Sequence, residues 1–239
     1  MNNFLFVIGT RPEAIKMIPL IKVLDNSSAV DVPECSSGKH SDLLDHLWED
    51  YGIHVHYKLD LMNSSNGLNT LLSNLVLCVD KVIREVNPNL VLVHGDTTTA
   101  LGAALAAFNQ QIKIAHIEAG LRSNYLCSPF PEEANRRLID TISNYHFAPT
   151  EANRKNLLKE NIQDEHIFVV GNTGIDMMHL VIEKAKNSNG VELLALNGED
   201  TFNIESDNFN VLFTMHRREN FGANLKNIIR AIQTISKLD

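Results

Sequence analysis

Short apolar runs recur along the chain, separated by longer stretches in which apolar residues return every three or four positions. That alternation predicts βα units. A short continuous apolar run suits a parallel strand covered by helices on both faces, and the longer stretches supply the covering helices. The strand candidates are Phe4–Ile8, Val30–Ser36, Val55–Leu59, Leu90–His94, Lys113–Ile117, Tyr145–Ala148, His166–Val170 and Asn210–Thr214. Helix ends are marked as well. Pro12 falls in a first helical turn, where its missing N–H does no harm, and Ile15, Ile18, Leu20, Ile21 and Leu24 follow as an apolar face. Leu68–Val86 reads as a long helix stopped before Pro88, because the residue ahead of a proline resists the αR conformation. Asp96 or Thr97 can cap a helix that runs to Phe108. The expected fold class is α/β, with a Rossmann-like doubly wound parallel sheet.

The periodicity weakens from Asn187 to Asn208, a polar stretch that contains Gly190 and Gly198 and reads as peripheral or interdomain. Beyond it come one strand candidate, Asn210–Thr214, and one amphipathic helix. A single βα unit cannot bury both of its faces, so a second, incomplete domain is expected. The expected division is 1–171 for an N-terminal Rossmann-like domain, and 172–239 for a linker helix and the start of a second domain.

Composition narrows the functional classes. With 44% hydrophobic and 21% charged residues the chain is of the soluble globular kind. A formal charge of −8 argues against broad nucleic-acid binding, which needs a basic face. The opening apolar run is too short for a membrane span and lacks a basic leader, so a cytoplasmic location is expected. Cys35, Cys78 and Cys127 are widely spaced and form no CxxC pair; they are expected to pack in or near the core rather than to build a disulfide or a zinc site.

Ligands of open parallel sheets bind beyond the carboxyl ends of the strands, so the residues after each strand carry the chemistry. After the first come Gly9-Thr10-Arg11-Pro12-Glu13-Ala14-Ile15-Lys16, a glycine turn that feeds a helix N-terminus with Arg11 and Lys16 close by. Amides, helix dipole and a bidentate guanidinium can all face a phosphate, although a plain surface arginine fits too. Gly95-Asp96-Thr97-Thr98-Thr99 follow the strand ending at His94, and Asp96 also fits an ordinary N-cap. Glu118-Ala119-Gly120 follow the strand ending at Ile117. Next, Pro129 to Arg137 open a helix in which Glu132–Arg136 and Glu133–Arg137 are spaced for a solvated salt-bridge face. Asp96, Glu118 and Glu132 would nonetheless converge on the edge that holds Arg11, and clustered carboxylates suit general acid/base work. His216-Arg217-Arg218 would reach the same cleft from the second domain. The other nine histidines read as structural or surface residues, and no spacing suggests a metal.

Six ordered motifs, GTRPEAIKMIPL from Gly9, VLVHGDTTT from Val91, HIEAGLRS from His116, SPFPEEANRRLID from Ser128, GNTGID from Gly171 and HRRENFG from His216, resemble the non-hydrolysing UDP-N-acetylglucosamine 2-epimerases. The resemblance implies a glycosyltransferase-B architecture, UDP-N-acetylglucosamine and UDP as ligands, and inversion at C2 to give UDP-N-acetylmannosamine. No nicotinamide, other cofactor or metal is implied, and the intact enzyme is expected to be a homodimer. Asp96, Glu118, Glu132 and His216 become the catalytic candidates, with Arg11, Lys16 and Arg136 on the substrate. A hydrolysing 2-epimerase and a non-catalytic domain are the alternatives. Family members with an allosteric substrate site often carry a glutamine-rich segment where this chain has Ser37-Gly38-Lys39-His40-Ser41. The family's later second-domain motifs are absent from the sequence, so this chain by itself is expected to turn over poorly.

Overall fold

A computed structural model describes residues 2–27, 30–37, 42–59, 61, 67–187, 213 and 222–235. Met1–Asn187 form one compact unit and Ser188–Asp239 another. In the first unit the strands are β1 (Asn2–Ile8), β2 (Val30–Asp31), β3 (Glu34–Ser36), β4 (Tyr57–Lys58), β5 (Leu90–His94), β6 (Lys113–Ile117), β7 (Tyr145–Ala148) and β8 (Ile167–Val169). The helices are α1 (Arg11–Asp25), α2 (Asp42–Tyr51), α3 (Leu68–Val86), α4 (Thr98–Asn109), α5 (Glu132–Ile142), α6 (Glu151–Lys159) and α7 (Thr173–Asn187). The described part of the second unit contains helix α8 (Ala223–Ile235). Of the expected strand Asn210–Thr214 only Phe213 is described, and His216 and the segment 188–208 lie outside the described residues. Among the described residues no helix is long and apolar enough to cross a membrane.

The sheet runs β4-β3-β1-β5-β6-β7-β8, with β2 also on β1, and the pairings are parallel. This is the doubly wound arrangement: the chain winds outward from β1 on one side and from β5 on the other, which leaves a crevice between their carboxyl ends. Alternation along the strands feeds two cores. Leu5, Val7, Val91 and Val93 face α3, α4 and α5, while Phe6, Ile8 and Leu92 face α1, α2 and α7. The alanines of α4 let it lie close, and Gly102 sits where a β-carbon would come within 2.7 Å of Leu75 Cβ. The strand expected over Val30–Ser36 is split, since Pro33 has no N–H to give the ladder and the chain pairs with β1 on either side of it. Helix α1 continues through Pro19, which is buried.

Glu34, at the start of β3, is buried away from the crevice. Desolvation, with the charges of Asp25 and Asp31, pushes its carboxyl up to about 8. His56 Nδ1 lies 2.8 Å from its Oε2 and also faces the Glu34 amide at 3.5 Å. A group with a raised folded pKa contributes stability that is full below its unfolded value of 4.5 and is lost as pH rises to about 8. Glu34→Gln is therefore expected to be near neutral at about pH 5 and to stabilise by on the order of 2–4 kcal/mol at about pH 9. Urea unfolding at the two pH values checks it; equal stability at high pH removes the buried-acid account.

Candidate functional site

Two turns meet at the crevice. Gly9 and Thr10 lead from β1 into α1, and Gly95, Asp96 and Thr97 lead from β5 into α4. Thr10 and Thr97 are the N-caps, their hydroxyls accepting the amides of Glu13 at 3.5 Å and Ala100 at 3.1 Å. A β-carbon on Gly9 would lie 2.2 Å from Thr99 Oγ1, so the turns approach more closely than any side chain allows. Glu13 bridges them: its Oε2 accepts the Gly9 amide at 3.0 Å, and its Oε1 accepts the Thr97 hydroxyl at 2.7 Å. Burial raises the Glu13 carboxyl, with the Thr97 and Thr10 hydrogen bonds and nearby His94 pulling the other way. Ser37 Oγ lies 2.9 Å from Thr99 Oγ1 and joins the end of β3 to the same floor.

Above this floor is a cleft of about 260 Å³ whose lining includes Thr10, Glu13, Lys16, His94, Asp96 and Glu118. Glu118 leaves β6 with φ 66°, a left-handed conformation that costs a non-glycine residue on the order of 1–3 kcal/mol. Its turn is tied down on three sides. The Ala119 amide donates to Phe147 O at 3.1 Å, the Gly120 amide to Asp140 Oδ2 at 3.3 Å, and Asn156 Nδ2 to Gly120 O at 3.0 Å. Lys16 Nζ bonds Glu118 Oε2, and His94 Nε2 lies 2.9 Å from the same oxygen. Burial works against the Glu118 charge, but His94 and Lys16 outweigh it and hold the carboxyl down at about 2.

Asp96 accepts Arg136 Nη2 on Oδ2 at 2.6 Å, and its carbonyl takes Asn135 Nδ2 at 2.8 Å, so α5 fixes the turn after β5. Deeper still, His116 Nε2 meets Gly95 O at 2.7 Å and Nδ1 meets Asp140 Oδ1 at 2.6 Å. Arg122 Nη2 reaches Asp140 Oδ2 at 2.7 Å. With Arg122 and the Gly120 amide on its other oxygen, Asp140 acts as an acceptor throughout, and the His116 ring donates from both nitrogens. Burial would raise Asp140, but His116 and Arg122 hold it below the usual range.

The structure thus brings Lys16, Asp96 and Glu118 to one cleft and joins Arg136 to it through Asp96. Arg11 opens α1 as an exposed residue outside the lining, with no ion pair among the described residues. Glu132 opens α5, half-buried, and its carboxylate has no partner among the described residues. Two plain readings of the sequence are decided here. Of the two N-cap candidates, Thr97 caps α4 and Asp96 does not, because the residue that directly precedes α4 points its oxygen back at the helix. The start of α5 is not a solvated salt-bridge face either: Glu133 is buried and accepts the Ser123 amide and Arg137 Nε, both at 2.9 Å, while Arg136 turns to Asp96. Glu13 and His94 were missed. Thr10 and Glu13 have capping-box spacing, which could have drawn attention to Glu13. A histidine closing an apolar run gives no comparable signal. Among the described residues no group of three or more His, Cys, Asp and Glu could hold a metal ion.

Residues 22–239 match the family model described as UDP-N-acetylglucosamine 2-epimerase. The chain is 42% identical over 237 residues to the UDP-N-acetylglucosamine 2-epimerase of Campylobacter jejuni, covering 99% of this chain and 62% of that protein. It is 42% identical over 234 residues to the enzyme of that name from Neisseria meningitidis serogroup A, covering 98% and 62%. Among solved structures it is similar to the UDP-GlcNAc 2-epimerase from Neisseria meningitidis bound to UDP-GlcNAc, with a TM-score of 0.89 at 42% identity over 98% of this chain and 62% of that one. It also resembles S. aureus MnaA in a co-structure with UDP, with a TM-score of 0.83 at 36% identity over 98% and 59%. The chain therefore spans about three fifths of the length of these relatives.

Proposed function

Since this chain belongs to the UDP-N-acetylglucosamine 2-epimerase family, we propose that its cleft is the acid/base half of a site that inverts C2 of UDP-N-acetylglucosamine. One observation carries the reading: two carboxylates, Asp96 and Glu118, line a single cleft at the switch point of the sheet, each held by a cation. The C2 proton of the sugar has no carbonyl beside it to acidify it. Breaking the C1–O bond, with the electron pair leaving on UDP, gives C1 oxocarbenium character and makes C2–H removable. A carboxylate takes that proton, a C1–C2 double bond forms, and return of UDP to C1 with protonation of the opposite face of C2 gives the epimer. Lys16, in the cleft lining, suits the departing diphosphate, and Arg11, exposed at the start of α1, is proposed as a second cation for it.

Glu132 as a third acid/base group, Arg136 as organiser of Asp96, and His216 as a diphosphate ligand belong to the same proposal. So do a catalytic domain ending at 171, a linker helix leading to a nucleotide-binding domain, and homodimeric assembly. Three unpaired cysteines suit a reducing, cytoplasmic setting. The test is incubation with UDP-N-acetylglucosamine in deuterated water. Slow entry of deuterium at C2 of both epimers, with the nucleotide still attached, is expected, in keeping with the poor turnover expected of this chain by itself. Free sugar and UDP in place of the epimer would overturn the non-hydrolysing reading.

A further inference from the structure

The two oxygens of the Glu118 carboxylate are treated unequally. Oε2 meets both Lys16 Nζ and His94 Nε2, while Oε1 has no partner among the described residues. His94 ends β5 and is 4% exposed. Its Nε2 is within reach of Oε2 but off the N–H axis, and it is one of two buried side-chain N or O atoms among the described residues that lack a hydrogen bond. Leaving such an atom unsatisfied costs about 1–3 kcal/mol, so packing does not account for a histidine at this place. Bonds that look misaligned in a ligand-free site often tighten once the ligand is bound.

The groups facing His94 and Glu118 are Lys16 and Glu13 from α1, with Asp96 beside them on the turn after β5. Lys16 is the more exposed of the two, its side chain 30% accessible against 5% for His94, and it is the one an entering diphosphate meets first. When that anion draws Lys16 away, His94 is still in place behind the carboxylate.

We infer that His94 is a positioning residue: it holds Glu118 Oε2 against the strained turn after β6, so that Oε1 is the atom that exchanges the proton at C2. The inference rests on the epimerase reading of the cleft.

His94→Gln keeps an amide N–H near the place of Nε2, and His94→Phe keeps the ring shape without a donor. Misplacing Glu118 in the Phe variant is expected to lower kcat by about 10²-fold with KM within about threefold, and the Gln variant to recover to within about tenfold of the parent. The second readout needs no turnover. With ¹³C-labelled glutamate in the ligand-free chain, the Glu118 carboxyl titrates at about 2, moves toward its ordinary 4.5 in the Phe variant, and stays nearer the parent in the Gln variant. A purely structural His94 would lower the melting temperature and leave that titration in place. An unchanged titration in His94→Phe, equal kcat losses in the Phe and Gln variants, or a rise in KM with kcat intact overturns the inference. If the Phe variant does not fold, His94→Asn replaces it, since its amide lies near Nδ1 instead, and behaviour matching His94→Gln then counts against Nε2. Should the parent protein turn over too slowly to measure, the carboxyl titration alone decides whether His94 positions Glu118.

Discussion

On the proposed epimerase reading, Glu118→Gln is expected to lower the rate of C2 exchange by roughly 10²–10⁴-fold, and Asp96→Asn to do the same, because each removes a proton-transfer group while keeping nearly the same volume. The amide at 118 still fits beside Lys16 and His94, and the turn it stands on is held by the backbone bonds of Ala119 and Gly120, so far-UV circular dichroism and thermal melting should be little changed. The two variants differ in what else they disturb. Asp96→Asn also loosens Arg136, its 2.6 Å partner, and should weaken UDP binding as well as slow exchange. Exchange within a few-fold of the parent in either variant, measured by deuterium appearing at C2, removes that carboxylate from the mechanism.

Asp140→Asn is expected to destabilise the fold by on the order of 2–4 kcal/mol at neutral pH, since it takes the carboxylate from the buried His116 and leaves Arg122 with Glu160 as its remaining acidic partner among the described residues. Asp140 has a depressed folded pKa. Its contribution is therefore present above the unfolded value of 3.8 and is lost as pH falls through the folded value. The gap between parent and variant should narrow below about pH 4. Urea unfolding across that window reads it directly, and a variant as stable as the parent at neutral pH would show that the pair contributes nothing net, as some buried ion pairs do.

Strand ends were legible in the sequence where the physics is one-dimensional. Leu90–His94, Lys113–Ile117 and Tyr145–Ala148 are expected and found with the same bounds, because a run buried on both faces must stop where polarity begins. Val30–Ser36 was misjudged because the cost of Pro33 depends on which neighbour needs its N–H. The site divides in the same way. Post-strand position was enough to bring Lys16, Asp96 and Glu118 together, since sheet topology fixes where strands end. Spacing alone could not tell that Glu133 is buried, that Arg136 prefers Asp96 to Glu132, or that Glu13 reaches across to Thr97. Those depend on which way a helix is rotated against its neighbours. Arg11 and Glu132 lie near the cleft in sequence terms, yet their side chains make no ion pair among the described residues.

The contact between Gly9 and Thr99 sets a rule for how this floor can change over generations. A β-carbon at position 9 would lie 2.6 Å from Thr99 Cβ as well as 2.2 Å from its hydroxyl, so shortening Thr99 to serine or alanine makes no room. The two turns share the space of one β-carbon, and a lineage that acquires a side chain at 9 must empty position 99 to glycine. That exchange gives up the hydroxyl facing Ser37 and puts glycine in the first turn of α4, at up to about 1 kcal/mol for the backbone alone. Only one order is open, with position 99 emptied first, and so a side chain at 9 is expected only where 99 is glycine.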